Sequence, residues 1–517
     1  MEEETKEEVV SEPAEEEAVQ APAPDENGVA AAEHQSPYKG FFGKVDKYFG
    51  ISKSGSKYRT EIVAGVTTFM AMVYILMVNA GMFSEPWVGL SYGAAYIATA
   101  IGAIVGTLLM AFFAKMPLAQ ASGMGVNAFI VYTLLLNGTN LTYANCMVFT
   151  LIDGVIFLVL TATGLRKKIF EAIPAGVRHA IPVGIGLFIA FIGMQNAGLI
   201  VNDDSTLVTF VSFNVLAKDF EFGHILAPLV ALLGVVAIAV LSKLKIKGAI
   251  LWGILGSAVL YFIFAGIGYG AGDATCKAFY DGISVTNPFD AFKDWGTDAV
   301  GKVFVDGFKF NNYLDVEGNN AGTLIVLLLT TALSLCMIDM FDTIGTLYGA
   351  CSKGGLLDKD GVPINMNRMM LADAIATTAG AIAGTSTVTT FVESSSGVAA
   401  GGKTGFTALV TGLCFIVAMF LSPIAQLIPG AATATALIWV GVLMMSSVTK
   451  IDWEDAGEAI VAFLTFIVMV LGYSISKGIG IGILAYIVVK LCTGKIKEVS
   501  IATWVIGALF LATFILT

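Results

Sequence analysis

Four polar side chains sit where a polar side chain is costly. Asp339 and Asp342 lie in the otherwise apolar stretch Leu333-Ser-Leu-Cys-Met-Ile-Asp-Met-Phe-Asp-Thr-Ile-Gly-Thr346. Burying an ionisable group in an apolar span costs several kcal/mol, so such a residue is a functional candidate by default. A spacing of three puts both carboxyls on one helix face, with Thr346 a turn further on. Two close carboxylates in low dielectric do not both ionise readily, so one of the pair can carry a proton at neutral pH. Glu393 opens a run of small residues and reads as the start of a short helix, where the dipole favours its charge and burial opposes it. Asn127 offers one acceptor and two donors, which suits reading the edge of a flat heterocycle such as a purine or pyrimidine. The alternative for each is structural: a hydrogen-bonded Asp that pins a helix, or a polar group that satisfies a kink.

These residues sit in two interrupted apolar segments. The first is Pro117-Leu-Ala-Gln-Ala-Ser-Gly-Met-Gly-Val-Asn-Ala-Phe129, broken by Gly123 and Gly125. The second is Gly384-Thr-Ser-Thr-Val-Thr-Thr-Phe-Val-Glu-Ser-Ser-Ser-Gly397, whose β-branched run 385–392 predicts a strand. Irregular backbone is tolerated at membrane depth only where protein buries it or water lines it. Paired interruptions in two halves point to the central site of a transporter. Asn127 and Glu393 are 266 residues apart, and the spans beginning near 61 and 322 are offset by 261. The matched offsets predict two repeats of seven spans, and an odd number forces inverted topology. Each repeat should contribute a short strand and a half-helix whose first N–H groups are free to bind a carbonyl oxygen or ring nitrogen.

The elements that must hold these segments are membrane spans. Apolar stretches of the required ~20 residues occur near 61–83, 92–114, 143–163, 180–200, 225–242, 248–268, 322–348, 368–384, 404–422, 432–447, 457–475, 478–493 and 500–516. With the broken stretches 118–136 and 385–402 the count is 14 or 15, the last segment being the uncertain one. Lys115, Arg166, Lys167, Lys168, Arg178, Lys243, Lys245, Lys247, Lys353, Arg368, Lys403, Lys450, Lys495 and Lys497 fall on alternate connections. Connections 82–91, 137–142 and 423–431 carry no Lys or Arg. The positive-inside rule then predicts a cytoplasmic N-terminus, with loops 201–223 and 269–320 outside.

Composition agrees. Of the 517 residues, 56% are hydrophobic and only 13% charged, too few charges to cover a soluble surface. Residues 1–36 hold twelve acidic residues and one Lys, which accounts for the whole net charge of −11. That Glu-, Ala- and Pro-rich tail reads as disordered. It does not read as a signal peptide, because its start is acidic and no apolar core follows. Residues 37–60 mix aromatics with cations and suit a cytoplasmic interfacial segment. The remainder is neutral, with no basic face for nucleic acid. The six Cys show no metal or CxxC spacing and read as packing. Asp153, Asp373, Gln195, Asn196 and His179 are weaker candidates, and Phe129, Phe341 and Phe391 could stack on a flat ring.

The motifs Gly123-Met-Gly-Val-Asn-Ala-Phe129, Phe341-Asp-Thr-Ile-Gly-Thr-Leu347, Thr389-Thr-Phe-Val-Glu-Ser-Ser-Ser-Gly-Val398, Gly401-Gly-Lys-Thr-Gly405 and Tyr473-Ser-Ile-Ser-Lys-Gly-Ile479 resemble those of the second nucleobase–cation symporter family. Within it they resemble the azaguanine-type hypoxanthine/guanine/adenine permease branch. The similarity runs over about residues 57–516. It implies a core domain of spans 1–4 and 8–11, a gate domain of spans 5–7 and 12–14, often a homodimer, and proton-coupled purine uptake by elevator-like motion. By motif, Asn127 matches the third-span site position, Asp342 the eighth-span acid and Glu393 the tenth-span acid. Asp339 is a further polar position of the branch. Ser394-Ser-Ser396 stands where relatives more often have Ser-Ala-Ala.

The expected fold is thus an all-α polytopic membrane protein of about 14 spans in a 7+7 inverted repeat, with two short strands and half-helices at its centre. Its expected divisions are a tail and lead-in (1–57), first-repeat core spans with the start of the gate (58–200), the rest of the first gate part (201–268), an extracellular loop (269–320), second-repeat core spans (321–422), and a second gate part with the C-terminal segment (423–517). The expected substrate contacts are Asn127, Asp342, Glu393, Asp339, Gly123, Gly125, Ser394 and Phe391, and the proton-coupling groups are Asp342, Glu393 and Asp339. The expected partners are a purine nucleobase, a proton and the bilayer of the plasma membrane. No cofactor or metal is expected, and no nucleophile–base pair or phosphate loop suggests an enzyme. The rival readings are a uracil, xanthine or small-anion carrier on the same fold, and a channel.

Overall fold

A computed structural model describes residues 36–136, 140–164, 173–214, 221–283, 286–359 and 361–516. The acidic tail up to residue 35, residues 137–139 of one connection, and the basic residues Arg166, Lys167 and Lys168 lie outside the described residues. Each predicted apolar segment contains a helix. Nine of the described helices are long and apolar enough to cross a membrane, among them Tyr58–Phe83, Tyr143–Ala162 and Ala321–Lys353. The last apolar stretch is the helix Ile501–Leu516, packed on Ala321–Lys353 and Ile475–Cys492. Local chemistry sets the boundaries. Asn320 caps Ala321–Lys353 with a reciprocal bond to Thr323, and Thr142 with Asn145 does the same for Tyr143–Ala162. Gly384 at φ +90° ends Met366–Ala383 in the left-handed conformation that glycine tolerates.

The two broken segments meet. Gln120–Ser122 and Val388–Thr390 pair antiparallel, with Gln120 opposite Thr390, Ala121 opposite Thr389 and Ser122 opposite Val388. The second strand is shorter than the predicted 385–392, because its partner is only three residues long. Backbone bonds continue one step beyond the ladder on each side, Gly123 N–H to Thr387 O at 2.9 Å and Phe391 N–H to Ala119 O at 3.1 Å. All six paired residues are buried. Helix Tyr92–Leu109 approaches this pair closely through Gly106, where a Cβ would lie 2.8 Å from Val388 Cγ1.

The helices pack in two groups. In one, Gly405–Met419 packs on Tyr58–Met72 and Tyr92–Leu109, and Met366–Ala383 packs on Tyr143–Ala162 and Tyr92–Leu109. In the other, Ala175–Asn196 packs on Gly430–Met444 and Ala456–Leu471, and Phe222–Lys243 packs on Ala249–Ala271. The loop 269–320 is built from the short helices Ala274–Asp281, Pro288–Asp294, Lys302–Val305 and Asn311–Leu314. It ties helix ends of the first group together: Ser91 Oγ to Asp294 at 3.1 Å, Trp295 Nε1 to Ala383 O at 2.8 Å and Asn145 Nδ2 to Gly307 O at 2.7 Å. Its first helix packs instead on Phe222–Lys243 and Ala249–Ala271.

Candidate substrate site

Glu393 is the anchor of the site. It is the residue before helix Ser394–Ala399, is 8% exposed, and accepts a hydrogen bond of 2.7 Å from the hydroxyl of Tyr74. Tyr74 is fully buried and also lies 3.7 Å from Met124 Sδ, on the other half-helix. One tyrosine therefore touches both broken segments. Glu393 lines a cavity of about 740 Å³ with Ser395, Ser396, Lys245, Lys247 and Lys353, a volume in the usual range of small-molecule sites, roughly 300–1,000 Å³.

The two half-helix starts differ. Helix Met124–Ala128 follows an extended Gly123 with no side-chain cap, leaving its first-turn N–H groups without helical acceptors. At the second, three N–H groups are already used: Ser394 N–H bonds Phe391 O at 3.1 Å, Ser395 bonds Val392 O at 3.0 Å and Ser396 bonds Glu393 O at 2.9 Å. The expectation of free donors at both starts is corrected here, because the chain enters the second helix through tight i→i+3 turns. What the second segment offers is the Glu393 carboxylate.

The two aspartates part company despite their shared spacing. Asp342 is half-buried and stands beside Gly125, where a Cβ would lie 3.5 Å from Asp342 Oδ2 and 2.9 Å from Ile185 Cγ2. Asp339 is fully buried and turns to Thr343, whose hydroxyl lies 3.1 Å from Asp339 Oδ1 and 3.0 Å from both oxygens of Asp373. Gln120 Nε2 adds a bond to Asp373 at 3.3 Å. Asp373 thus joins helix Met366–Ala383 to Ala321–Lys353 and to the first strand.

Asn127 is fully buried, and its Oδ1 accepts from Ser122 Oγ at 3.0 Å and from Ser386 Oγ. Gly123 accepts the Asn127 N–H at 2.9 Å. The Ser394 hydroxyl is engaged with Ala119, 3.0 Å from its N–H and 3.3 Å from its carbonyl. Phe391 is buried between the second strand and its half-helix, while Phe129 and Phe341 are core residues. Gln195 and Asn196 meet tyrosines, Tyr473 at 3.0 Å and Tyr132 at 3.4 Å. Among the described residues no group of three or more His, Cys, Asp or Glu could hold a metal ion.

Two residues escaped the sequence reading. Tyr74 is one; a phenol inside the apolar run Met72-Val-Tyr74 was its only signal. The other is Glu61, fully buried at the start of its span. It accepts from Lys403 N–H at 3.1 Å, Thr404 N–H at 3.3 Å, Thr404 Oγ1 at 2.9 Å and Thr407 Oγ1 at 2.6 Å. It therefore holds the entry to helix Gly405–Met419, and the Gly401–Gly405 motif supplies the turn that brings these donors together.

Two interrupted segments paired inside a body of apolar helices long enough to cross a membrane, with a buried acid lining a cavity, are the frame of a multi-pass membrane protein. Residues 59–481 match the family described as Permease family, Xan_ur_permease. The chain belongs to that permease family. It is 36% identical to the guanine/hypoxanthine permease PbuO of Bacillus subtilis, over 89% of this chain and 98% of that one. It is 35% identical to the adenine permease AdeP of Escherichia coli, over 91% and 95% of the two chains. Among solved structures, the transmembrane domain of the cyanobacterial bicarbonate transporter BicA aligns with a TM-score of 0.54 at 16% identity, covering 81% of this chain and 96% of that one. A murine solute carrier 26 anion transporter in the inward-facing state aligns with a TM-score of 0.55 at 14% identity, covering 90% and 74%. The shared architecture is the 7+7 inverted repeat.

Proposed function

We propose that this chain imports purine nucleobases (hypoxanthine, guanine and adenine) across the plasma membrane by proton symport. The observation that carries the reading is Glu393, buried, held by Tyr74 at 2.7 Å and open to a cavity of about 740 Å³. A carboxylate in that position accepts from the N–H edge of a base. Asp342, next to Gly125 on the opposite segment, is the second acid toward the base, and the free N–H groups of Met124–Ala128 complete the contacts. Asp342, Glu393 and Asp339 are the proton-coupling groups. The purine class follows from the relatives, whose names carry guanine, hypoxanthine and adenine.

The two packing groups support a reading by alternating access. The group holding both strands is the core and the other is the gate, with the core moving past the gate as an elevator, in a homodimer. The cavity at Glu393 is lined by Lys245, Lys247 and Lys353. Basic connections of this kind mark the cytoplasmic side, so this conformation is open inward and the N-terminus is cytoplasmic.

Uptake of radiolabelled hypoxanthine in purine-permease-deficient cells tests the reading, with and without a protonophore and with excess guanine, adenine, xanthine or uracil. Accumulation that collapses with the protonophore and is blocked by guanine is expected. Competition by uracil or xanthine alone would move the chain to another substrate class, and protonophore-insensitive accumulation would remove the proton.

A further inference from the structure

The lead-in to the first span presents positive charge that its own acids do not answer. Lys39, Lys44, Lys47, Lys53, Lys57 and Arg59 are all exposed. The acids of the same stretch are turned inward. Asp46 is buried and accepts from Ser52 N–H at 2.7 Å and Ser52 Oγ at 2.8 Å. Glu61 is buried and taken up by the donors around Thr404. Among the described residues no carboxylate forms an ion pair with any of the six cations. The helix Gly40–Phe49 adds apolar surface to this charge. Asp46 and Phe49 are its buried side. Phe41, Lys44 and Tyr48, spaced by three and four, share another face, on which Phe41 is 74% and Tyr48 46% exposed.

The position of this helix says what covers it. Phe49 packs on Phe112 and on Phe406, each with ring centroids 5.7 Å apart. The Tyr48 hydroxyl donates to Phe112 O at 3.1 Å, and Lys115 Nζ lies 4.2 Å from the Tyr48 ring centroid. The Tyr58 hydroxyl donates to Phe42 O. Phe112, Phe406 and Tyr58 stand at the ends of the apolar helices Tyr92–Ala114, Gly405–Met419 and Tyr58–Phe83. The helix therefore lies where three apolar helices end, at the depth of the headgroups. Exposed rings enter the headgroup boundary, and cations beside them meet lipid phosphates. We infer that residues 39–59 are a docking surface for anionic lipid headgroups. Every contact just named is with the helix group that holds both strands, so the lipid is held by the body that carries Glu393. The acidic stretch 1–36 is a rival occupant of matching charge, and the test separates the two.

Hydrogen exchange of the Gly40–Phe49 amides is measured on the full-length protein in nanodiscs of phosphatidylcholine, with and without phosphatidylglycerol. One basic residue near an anionic surface is worth roughly fivefold in binding, so phosphatidylglycerol should slow exchange about tenfold or more. The slowing should vanish in about 1 M salt, where the screening length is about 3 Å. Lys39→Gln, Lys44→Gln and Lys47→Gln together should remove most of it, and Arg at the same three positions should keep it. Equal exchange in the two lipids, or slowing that survives the three Gln substitutions, would overturn the assignment. Exchange that ignores the lipid but rises when residues 1–35 are removed would give the surface to the acidic stretch and overturn the lipid assignment too.

Discussion

The hydroxyl of Tyr74 lies 2.7 Å from Glu393 Oε1, although the two residues are 319 positions apart in the chain. This bond crosses from the first span of one repeat to the broken segment of the other. It aims the one carboxylate that, among the described residues, lines the cavity.

Tyr74→Phe should therefore keep the fold and lose the aim. A hydrogen bond to an ionisable partner is worth about 1.5–3 kcal/mol, so the KM for hypoxanthine uptake should rise roughly ten- to a hundredfold. Surface abundance should stay at the wild-type level. An unchanged KM would show that Glu393 does not depend on the phenol.

Gly125→Ala should block transport more severely than Gly123→Ala. A Cβ at Gly125 meets Ile185 at 2.9 Å and stands beside Asp342, whereas one at Gly123 meets only Thr389 and Thr387 side chains at 3.1–3.5 Å. Overpacking of the first kind costs about 1–3 kcal/mol, and it falls where the two helix groups touch. Initial uptake rates of the two variants, normalised to membrane protein, decide the order.

Glu61→Ala should act on stability and leave base recognition alone. It strips the acceptor from four donors around Thr404, a loss of about 1–3 kcal/mol. The melting temperature of the detergent-purified variant should fall, while the affinity for hypoxanthine in the surviving fraction stays at the wild-type value. Glu61→Gln should recover part of the loss.

Asp273, in the loop 269–320, gives a pH signature. It accepts from Cys276 N–H and Gly223 N–H, both at 3.0 Å, and these bonds hold its carboxyl below the usual value of 3.8. Its contribution is present above the unfolded-state pKa and disappears as pH falls through the lower folded one. Asp273→Ala should cost about 0.5–2 kcal/mol at neutral pH as a lost helix cap, and less at a pH below the lowered folded value. Thermal melts of both proteins at the two pH values provide the comparison.

The spans and both interruptions were legible because apolar length and its breaks are local properties of the chain. So was the placement of Glu393 before a short helix. The pairing of Gln120–Ser122 with Val388–Thr390 followed only in outline, since strand length is set by the partner. Tyr74 and Glu61 were not legible for the same reason: their partners lie 319 and more than 340 residues away, and nothing in the local pattern names them. Spacing put Asp339 and Asp342 on one helix face, but it could not show that Thr343 and Asp373 would draw Asp339 aside.

The loop 269–320 is fastened at both ends to different bodies. Ala274–Asp281 rests on Phe222–Lys243 and Ala249–Ala271, while Asp294, Trp295 and Gly307 are bonded to the helix ends at Ser91, Ala383 and Asn145. Any displacement of one helix group past the other, as proposed above, must therefore be absorbed within this loop or break one of its two sets of contacts.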